Sequence, residues 1–176
     1  MNTINFRTFR HKYLSPWRLR DLFWTAICTA KAKSVGRNCV VTHFCKFTKN
    51  TVIGNNCHFN GTNIYGKGTV SIGDNFHSGQ MIRMQTSYHN YDKGKQIPYD
   101  DTWITRDIII GDNVWIGERV TILAGVHIGE GAVIQAASCV TEDIPPYAIA
   151  GGHPCKVFKF RDIEHYKRLK SEGKFH

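Results

Sequence analysis

From Ile110 to Tyr147 the chain reads IGDNVWIGERVTILAGVHIGEGAVIQAASCVTEDIPPY, and its apolar residues return every six positions: Ile110, Ile116, Ile122, Ile128, Ile134 and Val140. Four residues after each of the first five comes a small or β-branched residue: Val114, Val120, Val126, Ala132 and Ser138. Glycine follows the first residue of the hexad at 111, 117 and 129. A helix repeats every 3.6 residues and a half-buried strand every two, so neither sustains this beat. A six-residue beat predicts short flat sides joined by corners, with three sides closing one triangular coil. Residues eighteen apart then stack: Ile110 on Ile128, Ile116 on Ile134, Ile122 on Val140. The stacked ladders fill the core of a parallel β-helix, and each coil pairs its backbone with the coils on either side.

The same beat runs earlier. Val35, Val41, Phe47, Ile53 and Phe59 hold one register, with Cys39, Cys45, Thr51 and Cys57 at the small position. After an irregular piece from Ile64 to Ser71, the register resumes at Ile72, Ser78 and Met84. Ser78 is the one polar residue among these fourteen lead positions. Coils are therefore expected from Val35 to His89 and again from Ile110 to near Ile149. Residues 90–109, NYDKGKQIPYDDTWITRDII, break the beat. An excursion of that length from a regular column predicts a functional loop.

The ends follow other rules. Residues 1–14 show no pattern, and Ser15-Pro16 is a helix start, a capping hydroxyl followed by proline in the first turn. Leu19, Leu22, Phe23, Ala26, Ile27 and Ala30 then keep helical spacing, which predicts an amphipathic helix over 16–32. Such a helix either covers the open end of the column or, with Trp17, Trp24 and its arginines, lies on a membrane surface. The chain divides into an arm and capping helix (1–34), the column with its loop (35–151) and a C-terminal tail (152–176). The tail opens with a turn-rich exit, GGHPCKVFKFRD, and Asp162 to Gly173 is expected to form a short charged helix.

Charge changes the picture at one end only. The formal net charge is +9, and residues 1–49 hold ten Lys and Arg against a single acid, Asp21. A basic end of this kind is either simply solvated or meets anionic lipid or an anionic substrate. No zinc-finger spacing or RNA-binding segment accompanies it, so nucleic acid is not an expected partner. Of six cysteines, Cys39, Cys45, Cys57 and Cys139 are read as inward filler, and no C-x-x-C pair occurs. Free cysteines of this type point to a reducing, cytoplasmic setting. Leu22 to Ala30 imitates a signal peptide, but Asp21 and two threonines interrupt it. No apolar run approaches the roughly 18–20 residues that span a membrane.

The chemistry is expected at His89, in MQTSYHNYD, at a corner of the column where the long loop departs. Trp115, an outward aromatic, is expected to share a groove with it. His43, His58, His77 and His127 are read as surface or stacking residues.

The motifs Ile72-Gly-Asp-Asn75 followed by His89, Ile110-Gly-Asp-Asn-Val-Trp-Ile-Gly117, Val140-Thr-Glu-Asp-Ile-Pro-Pro146 and Gly151-Gly-His-Pro-Cys-Lys-Val157 together resemble the hexapeptide-repeat acyltransferases. The likeness spans roughly Val35 to Lys159 and is greatest to the galactoside, maltose and polysaccharide O-acetyltransferase branch. It implies an all-β fold, a left-handed parallel β-helix of hexapeptide repeats with an N-terminal amphipathic helix and a short C-terminal helix. It implies a homotrimer with active sites in the grooves between columns, acetyl-CoA as co-substrate, a saccharide hydroxyl as acceptor and no metal. His89 matches the general base, which takes the acceptor proton and returns it to the departing CoA sulfur. Imidazole suits both roles because it changes protonation near neutral pH. The backbone N–H of Glu118 matches the oxyanion donor. Trp115 and Gly117 match the groove wall, Ala136 and Thr141 the pantetheine contacts, and Lys156 and Lys159 the positions near the CoA phosphates. Asn60 lies one residue from a substrate-binding asparagine of the family, and Tyr91 and Asp92 are acceptor-side candidates, with Asp92 or a backbone carbonyl placed to orient the imidazole.

The basic N-terminal region departs from the acidic acceptor-binding segment of the galactoside branch, so the acceptor does not carry over. A γ-class carbonic anhydrase needs a pair of histidines at H-x4-H spacing, which is absent. A serine acetyltransferase would need a long helical N-terminal domain. The remaining alternatives are an N-acetyltransferase acting on an amino-sugar nucleotide and a non-enzymatic trimeric scaffold. An enzyme of surface-polysaccharide synthesis is expected in the cytoplasm, with its basic helix placed to touch the inner face of the cell membrane.

Overall fold

The six-residue beat folds as three parallel sheets, one on each face of a left-handed β-helix of about six turns. The computed structural model describes residues 16–176; three of the ten N-terminal Lys and Arg, and the capping Ser15, lie outside them. The first face stacks Ser34–Val35, Thr51–Ile53, Val70–Ile72, Ile108–Ile110 and His127–Ile128. The second stacks Val40–Val41, His58–Phe59, His77–Ser78, Trp115–Ile116, Val133–Ile134 and Ala148–Gly152. The third stacks Thr62–Tyr65, Ile82–Gln85, Thr121–Ile122 and Cys139–Val140. The expected rungs are present: Ile110 pairs with Ile128, Ile116 with Ile134 and Ile122 with Val140. All six side chains are buried.

Two irregularities of the sequence have simple geometric causes. Phe59 and Ser78, neighbours on the second face, lie nineteen residues apart rather than eighteen, and the extra residue makes the irregular piece. Ile72 pairs directly with Ile110, so the coil between them holds one ordinary turn plus an excursion. Ser78 is tolerated inside because its hydroxyl lies 3.2 Å from that of Thr62, also buried. A buried hydroxyl left without a partner would be destabilising.

Gly-x-Asn triplets, two of them Gly-Asp-Asn, build the corner between first and second faces. The asparagine takes a left-handed conformation in every coil that has one: Asn38, Asn56, Asn75 and Asn113, with φ between 54° and 59°. Their amides form a ladder, Asn38 donating to Asn56, Asn56 to Asn75 and Asn75 to Asn113, at 2.9–3.1 Å. From the second coil on, the residue before the asparagine caps the coil below it. Asn55 accepts from the Arg37 N–H, Asp74 from Asn55 and Asp112 from Asp74. Glycine precedes them because a Cβ at Gly111 would stand 2.8 Å from the backbone nitrogen of Glu130 in the next coil.

The ends are closed by different means. Helix α1, Pro16–Thr29, lies across the first coil. Its Thr25 hydroxyl accepts the N–H of Val41 and its Cys28 sulfur that of Cys45, so it satisfies donors that the first coil would otherwise expose. Trp24 packs against the core and meets Phe44 edge-on, whereas Trp17, Leu19 and Leu22 stay exposed. The capping reading therefore holds for the inner side of this helix. At the other end, the expected turn-rich exit is instead a strand, Cys155–Phe160, that runs back antiparallel along Ala148–Gly152. Helix α2, Ile163–Ser171, follows, capped by Asp162, whose carboxylate accepts the N–H of His165. Tyr166 of α2 ends the asparagine ladder: its hydroxyl accepts from Asn113 and donates to Glu130, which also binds Lys170. Glu130 beside the Lys170 ammonium and the Tyr166 hydroxyl sits below the usual carboxylate range despite its burial.

All six cysteines are free. Cys28, Cys45, Cys57, Cys139 and Cys155 are buried, but Cys39, read as inward filler, is half-buried. Cys139 also departs from the expected small position: it precedes the lead Val140 on a strand whose two residues are both covered. The neighbouring Cys57 thiol holds the Cys39 thiol below its ordinary value.

The asparagine ladder yields a stability prediction. Asn75→Ala removes a rung bonded on both sides and places alanine at φ 55°, which costs about 2 kcal/mol. Tyr166→Phe removes the terminal rung alone and costs about 1 kcal/mol. Urea denaturation should show the interior substitution as the more destabilising; the reverse order would refute the ladder's role.

Candidate active site

The one large break in the column is at the corner between third and first faces. The six-residue beat predicts regular coils to His89 and a functional loop over 90–109. The structure corrects both. Ser87–His89 leaves the column as a strand and pairs antiparallel with Trp103–Thr105, so the excursion is a hairpin and its irregular part is 90–102. TWIT is made of β-branched and aromatic residues, as strands favour, but four residues are too short a signal beside a hexad beat. Ile108, assigned to the loop, already lies in the first face and is buried.

His89 stands opposite Trp103 in the hairpin register. The imidazole lies 3.9 Å from the Trp103 ring and 3.9 Å from that of Tyr99, nearly parallel to the latter. Neither aromatic was picked out from sequence. Nδ1 is buried without a hydrogen-bond partner, the only such side-chain atom among the described residues. Asp92 therefore does not orient the ring, and no backbone carbonyl does so either. The two aromatic faces fix its plane instead. Nε2 is the ring nitrogen left open to a reactant.

The hairpin divides two grooves. On the side of the later coils, a cavity of about 430 Å³ is lined by Tyr88, Tyr91, Arg106, Leu123, Ala124 and Thr141. Here the structure brings Thr141 and Tyr91, predicted from opposite halves of the reaction, to one surface. On the side of the earlier coils, a cavity of about 310 Å³ is bounded by Trp103, Ser87, Arg83 and Tyr65.

The other predicted residues lie elsewhere on the chain. Gly117 and Glu118 form the corner between second and third faces, and Ala136 lies directly above, its backbone nitrogen facing Gly117. The Glu118 N–H donates no hydrogen bond among the described residues. Trp115 is exposed on the second face and lines a separate cavity with Tyr166, Lys170 and His77, so it does not share a groove with His89 in one chain. Asn60 is built into the column: its amide donates to Ser78 O and accepts from Thr42. Lys156 is held 2.9 Å from Glu142, and Lys159 is exposed on the returning strand. His58 and His77 stack at 4.6 Å on the second face, as read. Among the described residues no cluster of His, Cys, Asp and Glu could hold a metal ion.

The predicted site thus falls into two halves. His89, Tyr91, Asp92 and Thr141 gather at the corner between third and first faces. Gly117, Glu118 and Ala136 gather at the corner between second and third, with Trp115 on the adjoining face.

Residues 107–142 match the family model described as bacterial transferase hexapeptide (six repeats). No curated protein matches the chain by sequence. Among solved structures, a galactoside acetyltransferase in complex with coenzyme A is 29% identical, with a TM-score of 0.68 over 89% of this chain and 78% of that one. A hexapeptide-repeat-containing acetyltransferase from Vibrio cholerae O1 biovar eltor, complexed with acetyl coenzyme A, is 29% identical with a TM-score of 0.66, covering 77% of this chain and 75% of that one. A maltose O-acetyltransferase from Clostridium difficile 630 is 29% identical with a TM-score of 0.58, over 89% and 82%. The resemblance read from the motifs is therefore shown both in the repeat model and in the fold.

Proposed function

We propose that the protein is an acyltransferase that moves an acetyl group from acetyl-CoA to a hydroxyl of a saccharide, with His89 as general base. The observation that carries this is His89 itself: an imidazole fixed between two aromatic rings, Nδ1 buried, at the root of a hairpin that separates two grooves. The neighbours support the donor, since two were solved with coenzyme A or acetyl coenzyme A, and two are named for galactoside and maltose. The role in surface-polysaccharide synthesis is part of the same proposal.

The chemistry follows from the ring. Nε2 takes the proton of the acceptor hydroxyl as its oxygen attacks the thioester carbon. The tetrahedral oxyanion needs a preorganised donor, which is the role given to the Glu118 N–H. When the C–S bond breaks, the proton passes from the imidazolium to the CoA sulfur. Thr141 and Ala136 hold the pantetheine arm, and Lys159 with Lys156 meets the phosphates. Lys156 must first exchange its exposed Glu142 partner, a contact worth little in water.

The two half-sites support a trimeric assembly. One corner of a chain carries the base and another the oxyanion donor and Trp115, so a single column does not complete the site. Three copies around a three-fold axis bring the third-to-first corner of one column against the second-to-third corner of the next. The exposed outer side of α1, with Trp17, Leu19 and Leu22 beside Arg20, supports a peripheral contact with the inner face of the cell membrane, where lipid-carried saccharides are assembled.

Three measurements test these readings. His89→Ala should lower kcat by at least ~10²-fold with little change in acetyl-CoA affinity, in an assay offering both hydroxyl and amine acceptors. Near-full turnover in the variant would remove His89 from the mechanism, and transfer to amines alone would shift the acceptor class. Light scattering should give about three times the 20.1 kDa chain mass, and an active monomer would contradict the shared site. Co-sedimentation with anionic vesicles should be strong at low salt and weaken as salt rises; protein left in the supernatant at low salt would confine α1 to its capping role.

A further inference from the structure

The groove on the early-coil side of the hairpin carries chemistry that the acetyl-transfer step does not use. Its far wall is Tyr65, whose ring has Arg83 over it at 4.5 Å and Lys46 at 4.7 Å. Lys67 stands on its rim beside Gly66. Lys46, Lys67 and Arg83 are exposed, and none makes an ion pair among the described residues. Among the described residues the one hydrogen-bond partner of the Arg83 guanidinium is Gln85, at a long 3.4 Å. Gly66 has φ +99°, and a Cβ there would come 2.7 Å from the Ser87 nitrogen, so the turn is held to glycine and the groove stays open.

The near wall is Trp103. Its ring touches the imidazole of His89 on one side and bounds this groove on the other, half-exposed. Indole faces stack on apolar ring surfaces, and an exposed one beside a catalytic base needs an occupant of that shape. Lys67 and Arg83 on the opposite wall, with Lys46 over Tyr65 behind it, favour an anion. A ring with hydroxyls and a negative group satisfies both.

We propose that the acceptor is an anionic saccharide, its sugar ring stacked on Trp103 and its carboxylate or phosphate held by Arg83 and Lys67, with Lys46 adding to the field. This rests on the acetyl-transfer reading and narrows its substrate class. The sugar enters from the early-coil side while Thr141 marks the donor on the late-coil side, and His89 stands between. The fork of Arg83 fixes the acidic group, the ring stacked on Trp103 anchors the saccharide, and a neighbouring sugar residue reaches round the indole edge to Nε2.

Calorimetric titration of the intact protein tests it, with a trigalacturonate, the matching neutral trigalactose and a hexose 1-phosphate as probes. At least one anionic probe should bind ten-fold or more tightly than the neutral one, with an affinity that falls as salt rises. Binding of the trigalacturonate alone assigns the anion to a uronate, and of the hexose phosphate alone to a phosphate linkage. Arg83→Gln combined with Lys67→Gln should remove that preference, while Trp103→Ala should weaken anionic and neutral probes together. Thermal melting by circular dichroism confirms that each variant is folded. Equal binding of anionic and neutral probes, no binding of either, or a preference that survives the double substitution would overturn the proposal. Acetyl transfer measured on the same probes separates the two readings. If an anionic probe binds through Arg83 but is never acetylated, the transfer reading falls and the pocket stands. If neutral sugars are acetylated as well as acidic ones, transfer stands and the anionic acceptor falls.

Discussion

Every part of this molecule answers to one constraint: each coil must hand its backbone N–H groups to the coil beside it in an unbroken register. The corners enforce it. An asparagine in the left-handed region turns the chain, its amide reaches the asparagine of the next coil, and the residue before it caps the coil below. Such a stack is as strong as its ends, because a terminal coil exposes donors and acceptors with no neighbour. The two ends are solved locally, α1 offering a hydroxyl and a sulfur to the first coil, and Tyr166 taking the last amide of the ladder where Gly131 supplies no side chain.

That constraint also decides where chemistry fits. Side chains on the faces are tied to the stacking beat, inward for packing and outward for solvent, and a coil cannot lengthen without shifting all that follow. Only a corner accepts extra residues freely, since the chain can leave and return to the same rung. The hairpin does this: the coil leaves at Gln85, returns at Ile108, and the faces on either side remain in register. The His89 imidazole on this hairpin is held by its own strand pairing and by Tyr99 and Trp103, rather than by a second polar group on Nδ1.

Much of the fold was legible because the beat is a long, repeated signal. The rungs Ile110–Ile128, Ile116–Ile134 and Ile122–Val140 follow from counting alone, and so does the placement of the excursion beside His89. What sequence could not show is which positions far apart in the chain share a corner. Trp115 seemed to join His89 because both stand beside a lead residue, yet the structure sets them on different sides of the column. Asn60 seemed an acceptor contact and is a rung between Thr42 and Ser78. Tyr99 and Trp103 were hidden because they act through a hairpin, whose pairing has no periodic trace. Lys46, Lys67 and Arg83 come from three separated segments and become a cluster only when the third face stacks them.

The charge of the chain also reads differently once the structure is known. By count, the residues after 49 are neutral, which suggested that the basic character belonged to the N-terminal end. Yet many acids of the column face its own backbone. Asp74 accepts the Asn55 N–H, Asp107 that of Thr69, Asp112 that of Asp74 and Asp143 that of His127. The oxygens of these carboxylates are turned to the main chain and are poor partners for an outward cation. Lys46, Lys67 and Arg83 have no such internal task. A column that uses its acids to hold corners and leaves bases on one wall presents a positive surface beside His89, whatever the sum of its charges. The recognition of an anion is thus a consequence of how the repeat is capped, as much as of where the lysines happen to fall.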